Sequence, residues 1–173
     1  MFDRIKQRLR DMGTIKRLCE DAEKHANADG QAQAGAEHFI LAALDLPDGT
    51  ARQAMQRLNV APEQYRTAIA RQHQEAMQFA GVAALPEEVQ QDAALPPAGG
   101  LYRAQASAQT LIQQLSERQK EENGALPLLG AHVLLAASAA QYGTAVRVWR
   151  LLGVEPAALA EAARGEIRAF RPA

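Results

Sequence analysis

At residues 38–69 the chain reads HFILAALDLPDGTARQAMQRLNVAPEQYRTAI, and at residues 132–163 it reads HVLLAASAAQYGTAVRVWRLLGVEPAALAEAA. The two stretches align without a gap, 94 residues apart, and 11 of the 32 aligned pairs are identical. The identical pairs include a Gly-Thr turn and a Val-x-Pro helix entry, where few residue types fit the backbone. The chain therefore contains two copies of one four-helix unit. Each copy is too small to bury its apolar face well, so we expect the copies to pack with pseudo-twofold symmetry.

The rest of the composition favours helices. The 173 residues include 37 Ala and 19 Leu, both strong helix formers, but only 13 Val and Ile residues together. Aromatic residues make up 5%, too few for an aromatic-rich β core. We therefore predict an all-α protein. Apolar spacing and breaker positions predict helices ending near Ala28, beginning near Ala36, Pro62 and Leu101, and covering about 50–58, 130–141, 144–152 and 156–170.

The domain organisation follows from the repeat and from one gap in the helical pattern. Three prolines and two glycines fall within residues 86–100, which makes this the one credible linker. We predict a single domain over residues 1–170. It comprises repeat one at about 14–79, a linker at about 80–100 and repeat two at about 101–170.

The repeated stretch carries a family resemblance. Residues 37–44 (EHFILAAL), followed by Leu-x-Val at 58–60, resemble the Clp amino-terminal repeat. The second copy offers HVLLAA at 132–137 and Leu-x-Val at 152–154, and the opening MFDR is similar to the start of Clp unfoldase chains. The resemblance spans about residues 1–168. It implies one compact eight-helix domain of the Clp N type, which binds substrates and adaptors for Clp/Hsp100 unfoldases.

The sequence offers little for catalysis, and we expect a non-enzymatic binding module without a cofactor. Gly30 and Gly35 have the spacing of a Walker-A loop, but Ala-Glu stands where the phosphate-binding Lys and the hydroxyl residue are needed. Cys19 lies on the apolar side of a predicted helix and is interpreted as a core residue. The resemblance implies a protein or peptide partner, such as a Clp ATPase, a Clp peptidase or an adaptor. The module would serve these systems as a substrate-recognition, adaptor or regulatory factor.

Two histidines occupy equivalent positions in the repeat. His38 and His132 each stand at a predicted helix start, where an imidazole can hydrogen-bond the backbone. The alternative is a metal held between them, but neither has a His, Cys or Asp at ligand spacing in the sequence. We therefore predict no metal site.

Glu37 is the acidic position of the resembled family. In some bacterial relatives the matching region recognises phosphorylated arginine, with a hydroxyl residue beside the Glu, but here Ala36 stands in that place. The other interpretation is a favourable charge at a helix N-terminus. Glu37 and His38 are candidate partner contacts, together with three apolar residues of the N-terminal helix, Phe2, Ile5 and Leu9.

The N-terminal helix is amphipathic and basic. Phe2, Ile5, Leu9 and Met12 form one stripe at spacings of 3, 4 and 3. The stripe is flanked by basic residues: Arg4, Lys6, Arg8 and Arg10. We favour packing of the stripe on the domain, with the charges solvated. Attachment to an anionic membrane surface is the alternative, and it would make this a structural or membrane-associated interaction protein.

The net charge and the targeting signals indicate which partners and which compartment to expect. The formal net charge is −1, which argues against a nucleic-acid partner. No secretory signal is present, and the most apolar stretch is too short to span a bilayer. The sequence therefore predicts a cytoplasmic protein and does not favour a membrane partner.

Overall fold

The structure, a computed structural model, describes residues 2–79, 104–121 and 126–171. Within these ranges the chain forms eight helices and no strand, so the predicted all-α fold is confirmed. The helices are α1 (Phe2–Ala28), α2 (Ala36–Leu44), α3 (Thr50–Arg57), α4 (Pro62–Phe79), α5 (Ala106–Glu121), α6 (Gly130–Ala137), α7 (Thr144–Leu151) and α8 (Pro156–Ala169). The linker predicted at about 80–100 lies outside the described residues.

The internal repeat is visible in the helix positions. Helices α2, α3 and α4 begin 94 residues before α6, α7 and α8. Contacts between helices also come in matched pairs: α3 packs on α8 as α4 packs on α7, and α1 packs on α2 as α5 packs on α6. Helices α2 and α6 contact each other directly. A pseudo-twofold relation between the repeats would produce this pattern.

Helices α2 and α6 form the centre of the core. Every residue of α2 is buried, and so is every residue of α6. Apart from Glu37 and the two histidines, both helices consist of small or apolar residues, which is the sequence pattern of a helix surrounded by protein. Trp149 of α7 and its repeat counterpart Met55 of α3 are also buried.

The central packing depends on the small size of Gly130, the first residue of α6. A Cβ atom added there would lie 2.8 Å from the carbonyl oxygen of Ala43 and 2.9 Å from the Cβ of Ala51. Both distances are shorter than carbon contacts allow. Glycine therefore lets the start of α6 lie against α2 and α3.

Two helix boundaries differ from the sequence prediction. Helix α6 ends at Ala137 instead of near residue 141. There the Ser138 hydroxyl donates to the Leu135 carbonyl at 2.6 Å, which competes with the helical hydrogen bonds. Helix α5 begins at Ala106, later than the predicted start near Leu101. The backbone N–H of Gln105 instead donates to the Ala34 carbonyl at 2.9 Å, which ties the start of α5 to repeat one.

The N-terminal stripe does not pack on the domain, so the favoured interpretation was wrong. Ile5, Leu9 and Met12 are 53%, 63% and 65% exposed. Helix α1 runs unbroken through Gly13, and its buried line begins further along and ends at Ala26. At about 100° per residue, the stripe and this buried line lie about 120° apart on the helix. One face of α1 therefore meets the core while the stripe points to solvent.

The core packing at Gly130 makes a stability prediction. Gly130→Ala should lower the free energy of unfolding by about 1–3 kcal/mol, because the new methyl group overlaps rigid backbone and Ala51. Gly13→Ala is the matched control, since Gly13 lies within α1 with nothing within 4 Å of an added Cβ. Gly13→Ala should raise the free energy of unfolding by up to about 1 kcal/mol. Urea unfolding followed by circular dichroism measures both, and equal effects of the two substitutions would contradict the packing argument.

Candidate functional site

The two buried helix starts are capped in the same way. The Gly35 N–H donates to Nδ1 of His38 at 3.0 Å, and the Leu129 N–H donates to Nδ1 of His132 at 3.0 Å. Each bond satisfies a backbone donor that would otherwise be buried without a partner at a helix N-terminus. The structural role predicted for the paired imidazoles is confirmed.

His38 uses its second ring nitrogen as well. Its Nε2 lies 3.1 Å from a carboxylate oxygen of Asp29. Because Nδ1 accepts the Gly35 N–H, the ring proton is assigned to Nε2, which donates to Asp29. The fully buried ring of His38 in α2 therefore binds both ends of the α1–α2 loop, Asp29 and Gly35.

Glu37 lies beside this ring in the interior and is only 1% exposed. Its Oε1 is 3.7 Å from Nδ1 of His38 and 3.7 Å from Nε2 of His73, which reaches in from α4. Among the described residues neither carboxylate oxygen has a hydrogen-bond partner. Burial alone would raise the pKa of the Glu37 carboxyl, but His73 and His38 outweigh burial and lower it. The group is therefore a buried carboxylate that stays ionised beside two imidazoles.

The cluster also has the composition of a metal site. One donor atom each from Glu37, His38 and His73 lies within 4.8 Å of the others. The expectation that His38 lacks a neighbouring ligand was wrong, because His73 and Asp29 come close through the fold. Both nitrogens of His38 are already engaged, however, so a metal there would displace the Gly35 N–H from Nδ1. The arrangement fits a buried polar cluster around the Glu37 carboxylate.

The predicted partner contacts have different positions. Glu37 and His38 are 1% and 0% exposed, so neither presents a contact surface. Ile5 and Leu9 are exposed and close together on α1. The side chain of Phe2 lies outside the described residues, although its backbone belongs to α1.

Cys19 packs against the core and is partly buried. Burial raises the pKa of its thiol, and the charges of Glu23 and Glu20 raise it further. These surroundings favour the protonated thiol over the nucleophilic thiolate, in agreement with a packing role.

A surface groove lies between α5, α6 and α7 beside the start of α2. It has a volume of about 350 Å³. Small residues form most of its wall, and no charged residue is among the described residues that line it: Ala36, Ala106, Ser107, Thr110, Leu111, Gln114, Ala136, Ala137, Ala140, Gln141, Tyr142, Gly143 and Ala145. This uncharged, largely apolar concavity is the candidate binding site.

The groove of repeat two lies at positions where the two repeats differ. Leu46 is the repeat counterpart of Ala140 and is buried, and Asp48 is the counterpart of Tyr142. The Asp48 carboxylate turns inward and accepts the Gly130 N–H at 3.2 Å. Tyr142 instead points outward and is 84% exposed. In repeat two the position of Leu46 is held by the small Ala140, and the position of Asp48 is held by the outward Tyr142. The space between the helices is therefore left open there.

Sequence reasoning missed both features. His73 is 36 residues from Glu37, and nothing in its local pattern indicates that α4 brings it there. The alignment of the repeats does contain a signal for the groove. Leu46 is replaced by the smaller Ala140, and Asp48 is replaced by the aromatic Tyr142.

The Glu37 network makes a prediction about pH. Because the pKa of Glu37 is lower in the folded protein, its ionised form stabilises the fold above the unfolded pKa. That stabilisation is lost as the pH falls through the folded pKa. Wild type should therefore be more stable than Glu37→Gln at pH 7, and the difference should shrink below a pH of about 4.3. Urea unfolding between pH 7 and pH 3 measures it.

The same substitution at Glu117, which is exposed on α5, is the control and should show a much smaller difference. A stability difference for Glu37→Gln that stays constant or grows on acidification would contradict the buried-anion assignment.

Comparison with known proteins agrees with these features. The family model for the Clp repeat (R) N-terminal domain matches residues 14–120, which is more than half of the chain. No curated protein matches the chain. The family match begins where repeat one was predicted to begin, and it extends through α2, α3 and α4 into α5. The all-α fold, the repeated helix starts and this match together place the chain in the Clp repeat N-terminal domain family.

Proposed function

We propose that this protein is a non-enzymatic binding module that works with Clp/Hsp100 systems and holds an apolar peptide segment in the groove between α5, α6 and α7. The observation that carries the proposal is the uncharged groove in repeat two. Membership of the family supports it, because domains of this family are generally protein-interaction modules.

The lining of the groove selects the occupant. Its volume of about 350 Å³ lies near the lower end of the usual range for ligand pockets, about 300–1,000 Å³. That space suits a few apolar side chains of an extended segment. Without a charge in the lining, a charged segment would lose its hydration and gain no ion pair. Unfolded polypeptides expose uncharged apolar segments of this kind.

Tyr142 stands at the rim of the groove. Its ring offers a large apolar face, and its hydroxyl can hydrogen-bond a peptide backbone. Ser107 is already engaged, since its Oγ accepts the Ala36 N–H at 3.2 Å. Thr110 and Gln141, both exposed at the groove, supply further polar groups for a bound backbone.

In this proposal the module binds and transfers polypeptide and performs no chemistry. The loop containing Gly30 and Gly35 carries no Lys for a nucleotide phosphate, and the Cys19 thiol stays protonated. Delivery of substrates to an unfoldase, capping of a Clp peptidase or titration of an adaptor would each use the same groove.

A variant that copies repeat one tests the groove. Ala140→Leu with Tyr142→Asp introduces the residues found at 46 and 48, and should close the opening. Binding of a fluorescently labelled, permanently unfolded protein, followed by anisotropy, should weaken at least about tenfold, equivalent to about 1.4 kcal/mol. Ala70→Leu, on the exposed face of α4, is the control and should bind as wild type does. Equal binding by all three proteins would contradict the groove as the site.

An affinity purification from lysate of the source organism tests the Clp association. A Clp ATPase, peptidase or adaptor should be enriched by wild type and by the control variant, and lost with the closed-groove variant. Enrichment of an unrelated partner without any Clp component would contradict the association. ATP hydrolysis by the pure chain would contradict the non-enzymatic assignment.

A further inference from the structure

The first three turns of α1 carry an apolar stripe that no described part of the protein covers. Ile5, Leu9 and Met12 are all more than half exposed. Phe2 continues the same spacing in the sequence. Isolated exposed apolar residues are ordinary, but consecutive ones on one helical face form a surface that water solvates poorly.

Basic residues border this stripe on both sides. At about 100° per residue, Lys6 and Arg8 lie roughly 80° to either side of the stripe. Arg4 and Arg10 lie further round on the two flanks. The only acidic residue among the first ten is Asp3, whereas the whole chain has a net charge of −1. Positive charge is therefore concentrated at this segment.

The helix is attached to the body through a different face. The Asp11 carboxylate is buried and accepts the Leu128 N–H at 2.9 Å, which ties α1 to the segment before α6. Beyond this anchor the residues from Ile5 to Arg10 are exposed, except for the half-buried Gln7. The anchor leaves Ile5, Leu9 and Met12 and the flanking Lys6, Arg8 and Arg10 free to meet a surface.

From this geometry we infer that the α1 stripe docks on an anionic lipid surface. The apolar side chains would enter the boundary of the acyl chains, while the Lys and Arg stems lie alongside them and place their charges among the headgroups. A flat anionic membrane surface would contact the basic residues on both sides of the stripe at once. The helix would lie in the plane of the interface, and among the described helices none is long and apolar enough to cross a membrane.

Charge argues against a second copy of the chain as the occupant. Two α1 helices paired along their stripes would bring Lys6 and Arg8 of one copy next to the same residues of the other, and like charges at such positions are repulsive. A protein partner with an acidic groove remains an outcome that the experiment separates from lipid.

Co-sedimentation with vesicles tests the inference on the full chain. At low salt, wild type should bind vesicles containing equal parts phosphatidylglycerol and phosphatidylcholine, and should not bind pure phosphatidylcholine. Leu9→Glu should weaken binding at least about tenfold, because the Leu side chain that would enter the lipid is replaced by a charge of the same sign as the headgroups. Raising the salt concentration should weaken wild-type binding.

Leu151→Glu is the matched control, since Leu151 is 39% exposed on α7 and lies outside the stripe. It should bind the anionic vesicles as wild type does, and thermal unfolding checks that both variants are folded. No sedimentation of wild type with anionic vesicles overturns the inference, as does equal binding to neutral vesicles or equal loss in both variants. A dimer in sedimentation velocity that Leu9→Glu dissociates would also overturn it, by identifying a second copy as the occupant. None of these outcomes bears on peptide binding in the groove.

Discussion

The fold depends on two short helices that are buried on every side. Because α2 and α6 have no face toward water, their sequences are mostly apolar and their first backbone N–H groups need partners from inside the protein. His38 and His132 supply one such partner each. Asp48 and Thr50, which come from repeat one, bind the N–H groups of Gly130 and Ala131 in repeat two. The capping bonds therefore also join the two repeats.

The groove is explained by differences between the two repeats at a few positions, not by the overall amino-acid composition. Both repeats keep the helix starts, the capping imidazole and the Gly-Thr turn, since each satisfies a backbone requirement of the central pair. At 140 and 142 the repeats diverge: Ala140 stands opposite the buried Leu46, and the exposed Tyr142 stands opposite the inward Asp48. Repeat one needs Asp48 to cap α6. At the start of α2 the Ala36 N–H is bound by Ser107 instead, so residue 142 is released from capping and can face solvent.

The sequence predicted the features that local chemistry determines. Helices α2, α3, α4, α6, α7 and α8 begin where Gly, Pro and the repeat indicated, because those residues act on their own backbone. Features that depend on distant packing were not predictable in this way. His73 reaches Glu37 only through the crossing of α4 with α2. The stripe of α1 has the spacing of a packed face, and only the position of the neighbouring helices shows that another face of α1 meets the core.

The candidate surfaces occupy separate parts of the molecule. The groove is built from α5, α6 and α7 with the start of α2, whereas the stripe lies on the part of α1 that extends beyond its Asp11 anchor. They share no residue, and energetic coupling between two sites requires a structural element with two states that both sites bias. Within residues 2–79, 104–121 and 126–171 the structure shows no such two-state element, and α1 meets the core through a face other than the stripe. Occupation of the stripe would therefore leave the groove open and unchanged, so a module held at a surface by α1 would still present the same peptide site to its partners.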